Sequence, residues 1–250
     1  AAAPLMRLAE TLGAPVALTI NAKGMLPSTH PLLLGSTQTL VATRALVAEA
    51  DVVLAIGTEL AETDYDVTFA GGFELPGLLL RVDIDPDQTV RNYPPHVALV
   101  ADAQLAAEAL LAELSTTPLP ARHSDWGTQR VARLWAELTP TWDAATRAQT
   151  LFLDTVLQAL PDAVLVGDST QPVYSGNLTL NLDHPRRWFK LVHRLRHLGV
   201  RPARRHRRLA GARRRAAGGV PDRRRRPAIH PAGTGQRRGS ARAGDRVAVE

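Results

Sequence analysis

The chain divides near Phe189 into a part that can bury a core and a part that cannot. Residues 190–250 contain no Phe, Trp or Tyr and are dominated by arginine, including the run Arg223-Arg224-Arg225-Arg226. Residues 1–189 carry 11 Lys and Arg against 21 Asp and Glu, a net charge of −10, whereas residues 190–250 carry 19 against 3, a net of +16. The formal net charge of +6 and the basic pI therefore describe the last segment and not the folding body. A segment this poor in apolar side chains and this rich in like charge opposes compaction, so 190–250 is expected to be a disordered basic tail.

Two readings of such a tail are ordinary: a solvated basic arm, or a nucleic-acid or acidic-membrane contact made through phosphates. Single-strand binding also wants stacking aromatics, and this tail has none. A third reading is that codons 190–250 are translated out of frame. Read one base late, the codons for 193–199 permit TGYGTLG and those for 201–209 permit ALPAAIGAW. The four arginine codons at 223–226 permit GDGG, those for 227–231 permit LQFTL, and those for 247–250 permit LLW followed by Asn. Together these restore a Gly-rich turn, an apolar helix and a GDG with a downstream Asn.

Within 1–189, short apolar runs alternate with helical ones. Leu5 to Leu12 is expected to be a helix closed by Gly13, followed by a strand over Pro15 to Ile20. Gln38 to Ala50 has the spacing of an amphipathic helix and leads into the strand Asp51 to Gly57. Leu78 to Ile84 and Val97 to Val100 are further strands, and Asp102 to Leu114 is an Ala/Leu-rich helix. Continuous apolar strands separated by helices predict a parallel sheet buried on both faces, an α/β doubly wound, Rossmann-like architecture over residues 1–115. Residues 116–150 bring Thr-Pro texture and Trp126, Trp135 and Trp142, and are expected to form an interdomain connection packing aromatics on the domain surface. A second α/β domain is expected to open at 151–189, with helix Leu151 to Leu160, strand Ala163 to Val166 and a turn at Gly167 to Gln171.

With no cysteine, the chain has no disulfide, thiolate ligand or thiol nucleophile, which suits a cytoplasmic setting. No apolar stretch reaches membrane-spanning length, so a membrane partner is not expected. The opening Ala-Ala-Ala-Pro, without an initiator Met, suggests that a longer protein precedes it. There is no G-x-G-x-x-G and no P-loop. Asp83 and Asp85 after the third apolar run have the residue type to bind a ribose or a metal, or simply to cap a turn. Lys23-Gly24 reads as a turn. Gly167, Asp168, Ser169, Thr170 and Gln171 stand at a strand's C-terminal end, where backbone N–H groups and hydroxyls suit a phosphate and equally suit a helix N-cap. The histidines His30, His96, His123 and His184 lack metal-ligand spacing.

The order Asn21-Ala22-Lys23-Gly24-Met25-Leu26-Pro27, His30-Pro31-Leu32 to Gly35, Asp51 to Gly57, Arg81-Val82-Asp83-Ile84-Asp85-Pro86, Asn92 and Ala101-Asp102-Ala103 resembles the central domain of acetolactate-synthase-like thiamine diphosphate (ThDP) enzymes. The resemblance implies a Rossmann-like central domain over 1–115, the start of a diphosphate-binding domain at 151–189, and Gly167 to Gln171 as its first cofactor contacts. It also implies ThDP and Mg2+ as cofactors, and a homodimer or homotetramer acting on a small 2-oxo acid. The expected chemistry is decarboxylation with the cofactor as electron sink, ending in an aldehyde or a new C–C bond. FAD is not expected, because Gly57-Thr58-Glu59-Leu60-Ala61-Glu62-Thr63 places carboxylates where the FAD-carrying relatives place arginine. This departure favours the 2-oxo acid decarboxylases, such as the guanidino-oxopentanoate decarboxylase type. No catalytic or metal residue is assigned: the activating Glu of the family's pyrimidine-binding domain and the in-frame GDG and Asn have no counterparts in the sequence. The polypeptide as written is therefore expected to be an inactive fragment. The alternatives are a nucleic-acid-associated protein with a basic arm, or a stand-alone nucleotide-binding Rossmann module.

Overall fold

A computed structural model describes residues 2–61, 72–117 and 125–190, and among these it holds six α-helices and seven short strands. The arginine-rich tail thus lies, apart from Lys190, outside the described residues, as do Glu62, Thr63 and His123. The described residues all fall within one unit, Ala1–Leu198.

Helix α1 (Ala2–Leu12) ends as its sequence suggests. Gly13 adopts φ +58°, and the amides of Gly13 and Ala14 donate back to the carbonyls of Glu10 and Ala9, which closes the last turn in a left-handed cap. The strand expected over Pro15 to Ile20 is only β1 (Val16–Ala17), because the chain turns into a 3-10 helix at Ile20–Ala22. Its partner, β2 (Leu33–Gly35), was not among the expected strands. It runs parallel to β1, with Val16 opposite Leu33 and Ala17 opposite Gly35.

Helix α2 (Val41–Ala48) occupies the middle of the expected helical stretch. It leads into β3 (Val52–Ile56), and β4 (Leu78–Asp83) and β5 (Val97–Val100) complete a parallel sheet of order β3-β4-β5. The register runs from Val52–Leu78 to Ile56–Val82, and from Leu80–Val97 to Asp83–Val100. The parallel α/β class is as expected, but burial on both faces fails at β5: Val97, Leu99 and Val100 are all exposed. The reason is positional. β5 is an edge strand, and the helix that follows it, α3 (Ala103–Thr116), packs against α1. Asp102 caps α3, its carboxylate accepting the amides of Gln104 and Leu105 at 2.8 and 3.2 Å.

The aromatic connection becomes α4 (Trp126–Leu138), whose buried Gly127, Val131, Leu134 and Leu138 fall at the 4-3-4 spacing of one helix face. That face meets Leu34 of β2, and the indole of Trp135 donates to the Leu33 carbonyl at 3.0 Å. Helix α5 (Ala144–Ala159) starts seven residues before the expected Leu151, because Asp143 forms its cap, accepting the Thr146 amide at 2.7 Å. Strand β6 (Leu165–Gly167), helix α6 (Gln171–Thr179) and β7 (Trp188–Lys190) then make one parallel strand–helix–strand unit. Its core is Leu153, Val173, Leu180, Leu182 and Trp188, joined by Ile20 from the first half of the chain.

Candidate cofactor site and its support

Gly167, Asp168, Ser169, Thr170 and Gln171 are brought together by the β6-to-α6 turn. A Cβ on Gly167 would stand 2.2 Å from a Val173 methyl, so only glycine lets the strand end close against the helix it feeds. The Asp168 carboxylate accepts the Ser169 amide at 2.7 Å, and the Asp168 carbonyl accepts the Thr170 amide at 2.7 Å. Thr170 is the N-cap in extended conformation (φ −130°, ψ 157°), yet its hydroxyl makes no cap hydrogen bond, and Pro172 lies in the first turn. Thr170 and Gln171 are exposed. The arrangement offers a diphosphate the Thr170 hydroxyl and the positive end of a nine-residue helix. One carboxylate, Asp168, stands beside it, and an anion there needs a counter-charge. The residues present fit part of a diphosphate site and supply no cation of their own. Among the described residues, no cluster of three or more His, Asp or Glu is placed to hold a metal.

The opposite end of α6 is held by the first half of the chain. Lys23, 2% exposed, donates from Nζ to the carbonyl of Leu180, the α6 C-cap, at 2.6 Å. A cation at that end complements the helix dipole. Gly24, at φ +86°, lies so close to the chain at 184–185 that a Cβ would stand 2.1 Å from the His184 carbonyl oxygen. Ser28 donates its amide (3.0 Å) and hydroxyl (2.6 Å) to Asp183, and these two bonds hold the Asp183 carboxyl below the usual carboxylate range. Lys23-Gly24, read as a turn from sequence, is thus also a dock for residues 180–185. No local signal marks this, because the partners lie more than 150 residues away.

The other motif residues support the backbone. Asp83 accepts the Asp85 amide and Asp85 accepts the Asp87 amide, each at 2.9 Å, so both carboxylates brace the turn after β4. Arg81, 2% exposed in the middle of β4, donates to the carbonyls of Thr58, Arg91 and Tyr93 at 2.6, 2.5 and 3.3 Å. It ties the loop after β3 to the segment before β5. Glu59 of that loop pairs with Arg91 at 3.7 Å, and its carbonyl accepts from Asn92. His30 contacts Glu10 at 3.2 Å, and His96 Nδ1 accepts the Leu79 amide. An open cleft of about 450 Å³ lined by Ser28, His30, Leu33, Gln129, Val131 and Trp135 includes none of the residues from Gly167 to Gln171.

A parallel α/β domain followed by a parallel strand–helix–strand unit is an architecture shared by many nucleotide- and diphosphate-cofactor proteins. Comparison narrows that class. The family profile described as "Thiamine pyrophosphate enzyme, central domain" matches residues 1–110. A probable 2-ketoarginine decarboxylase, AruI, of Pseudomonas aeruginosa is 40% identical over 185 residues, covering 74% of this chain and 32% of that protein. A probable acetolactate synthase large subunit of Methanocaldococcus jannaschii is 34% identical over 113 residues, 44% of this chain and 19% of that protein. A pyruvate oxidase of Lactiplantibacillus plantarum is 32% identical over 113 residues, 44% of this chain and 18% of that protein. Residues 1–110 match the central domain of the thiamine diphosphate-dependent enzymes, and the chain is similar to members of their acetolactate synthase and decarboxylase group. It spans about a third of the first of these relatives and about a fifth of the other two. Among the described residues, no helix is long and apolar enough to cross a membrane.

Proposed function

We propose that residues 1–189 are the in-frame portion of a ThDP-dependent enzyme that decarboxylates a 2-oxo acid, with 5-guanidino-2-oxopentanoate (2-ketoarginine) as the substrate. The relative named for that compound, 40% identical over 185 residues, supports this. Residues 1–115 are the central domain, 116–150 the connection and 151–189 the opening of the diphosphate-binding domain. Gly167, Asp168, Ser169, Thr170 and Gln171 make the first contacts to the cofactor diphosphate. When bound, ThDP stabilises the carbanion left by decarboxylation. This chain's share is to hold the diphosphate by the Thr170 hydroxyl and the α6 N-terminus, with Lys23 fixing the far end of that helix. Mg2+ would supply the counter-charge that a diphosphate beside Asp168 requires, and its holders would be the GDG and Asn encoded one base late by codons 223–226 and 250. FAD is not expected as a second cofactor, because the Gly57-to-Ala61 loop presents Glu59, and no arginine, to an FAD phosphate. The enzyme acts in the cytoplasm as a homodimer or homotetramer.

The chain as written accordingly binds ThDP and Mg2+ poorly and is inactive. Sequencing the gene through the codons for Phe189 and Lys190 tests the frame. An extra base, or a two-base loss, is expected there, with the later frame open and rich in apolar codons. Stop codons in that frame would overturn the proposal. Calorimetric titration of ThDP with Mg2+ then compares the two gene products. The restored chain is expected to bind at least tenfold more tightly, and equal affinity would remove the role given to codons 223–250.

A further inference from the structure

Helix α6 is buried mainly through polar side chains. Four of its nine residues are buried, Val173, Ser175, Gly176 and Asn177, and of these Val173 alone brings an apolar side chain. Gly176 sets how closely the helix lies: a Cβ there would stand 2.5 Å from the Trp188 ring and 2.7 Å from a Leu153 methyl. At that distance its polar neighbours meet partners on two flanks. On the α5 side, the Ser175 hydroxyl donates to Gln149 Oε1 at 2.5 Å, and the Thr150 and Thr179 hydroxyls stand 2.7 Å apart. Towards β7, the Trp188 indole donates to Asn177 Oδ1 at 3.0 Å in a buried bond. Ser175 and Thr179 share one helix face at the i, i+4 spacing, and Asn177 lies about 200° round the axis from Ser175. At the C-terminal end, Lys23 Nζ donates to the Leu180 carbonyl at 2.6 Å.

We propose that Ser175, Asn177 and Thr179 are positioning residues: their bonds to Gln149, Trp188 and Thr150 fix the rotation and axial place of α6, so that the Thr170 hydroxyl and the Gln171 amide at its other end meet a diphosphate. This rests on the diphosphate reading of Gly167 to Gln171 given above. Apolar packing is non-directional and tolerates sliding, whereas a hydrogen bond weakens steeply outside a narrow range of distance and angle. Bonds on two flanks and a cation at the C-terminus leave a nine-residue helix little freedom to turn or slip. Stability alone does not ask for this chemistry. A buried hydroxyl or amide needs a partner merely to recover its desolvation cost, and replacing both partners by apolar groups of like shape is close to neutral. What fully satisfied polar contacts add is a single, rigid arrangement. A binding turn profits from that, because its groups must be held to within about 0.5 Å of the productive geometry by the contacts behind them. The turn itself gives little such hold: the Thr170 hydroxyl makes no cap bond, and Thr170 and Gln171 are exposed. Their placement therefore falls to the body of the helix.

The test follows the backbone amides of Ser169, Thr170 and Gln171 by nuclear magnetic resonance while inorganic diphosphate is added in excess to the full chain. The readout is site-resolved, so diphosphate held by the arginines of 191–250 does not enter it. In the native chain these three amides are expected to shift saturably. Two variants remove a bond and leave no buried donor behind: Asn177→Leu combined with Trp188→Phe, and Thr179→Val, in which Thr150 keeps its bond to the Thr146 carbonyl. Each is expected to weaken diphosphate at the turn by roughly fivefold, the worth of one hydrogen bond. Thr179→Ser loses a methyl and keeps the hydroxyl, so it should bind as the native chain does. Val131→Ala, in the core between α4 and β2, controls for lost stability alone. Affinities within about twofold across the variants, Thr179→Ser as weak as Thr179→Val, or equal weakening by Val131→Ala would each overturn the positioning role. Should the paired variant fail to fold, proton exchange at the indoles of the native chain decides. Coupling is reciprocal: if the bonds favour binding, binding favours the bonds. Diphosphate should then slow exchange at the Trp188 indole several-fold and leave that of Trp135, which donates to the Leu33 carbonyl, unchanged. No slowing at Trp188, or equal slowing at both, would overturn the role. A native chain whose amides at 169–171 do not shift at all removes the diphosphate turn itself and the positioning role with it, so the two failures are distinguishable.

Discussion

At the scale of single residues, two glycines with the same backbone sign have different fates on substitution. Gly13 and Gly24 both have positive φ, so alanine costs each about 1 kcal/mol or more in backbone strain. Around Gly13 a Cβ would meet nothing within 4 Å, whereas at Gly24 it would stand 2.1 Å from the His184 carbonyl oxygen. Gly24→Ala is therefore expected to destabilise by at least about 2 kcal/mol more than Gly13→Ala in urea unfolding. Equal effects would mean that Gly24 does not dock residues 184–185. Beside it, the Ser28 bonds depress the Asp183 carboxyl in the folded state. A depressed carboxyl contributes stability that is present above its unfolded value and is lost as pH falls through the folded one. Thermal midpoints taken from pH 6 down to pH 2 should fall more steeply in the native chain than in Ser28→Ala, with the difference confined to pH below about 4. Parallel curves would show that the bonds to Ser28 do not persist in solution.

At the scale of elements, the loop after β3 and the segment before β5 depend on a side chain from the strand between them. Arg81 sits where an apolar residue is expected from the strand pattern, and its guanidinium satisfies three carbonyls from two loops. Arg81→Met keeps the apolar stem and removes every donor, taking the guanidinium from three partly buried carbonyls. The expected loss is about 3 kcal/mol, with Arg81→Lys intermediate, because an ammonium lacks the planar fork. Hydrogen exchange should quicken at 57–60 and 91–93 before it does in β4. A loss under about 0.5 kcal/mol would show the loops to be held by other contacts. Several elements were legible from sequence. The closing Gly13, the helix expected from Asp102 and the run Val97 to Val100 depend only on nearest neighbours. β2 was not, since three residues after Pro31 carry no periodicity and owe their extended form to pairing with β1. The early start of α5 was missed although Asp143 three residues before Thr146 is a cap signal, because the surrounding Thr, Pro and Trp read as connection.

For the whole molecule, charge and aromatic content separate residues 190–250 from the rest. Removing residues 191–250 is expected to leave the thermal midpoint within about 2 °C, since a segment without aromatics and with a net charge of +15 contributes no core. A larger fall would assign those residues a packing role in the chain as written.

The sequence alone determined the α/β class, the break at Phe189, the family resemblance and the candidate turn at Gly167 to Gln171. These rest on local pattern: apolar runs of strand length, capping residues and residue order along the chain. Tertiary structure decided that Lys23-Gly24 grips residues 180–185, that Asp83 and Asp85 brace a turn, that Arg81 is buried among carbonyls, and that β5 and one face of β6–β7 lack cover. The physical reason is range. Hydrogen bonds and close approaches between residues far apart in sequence leave no trace in either neighbourhood, and whether an apolar strand is covered depends on where every other element packs.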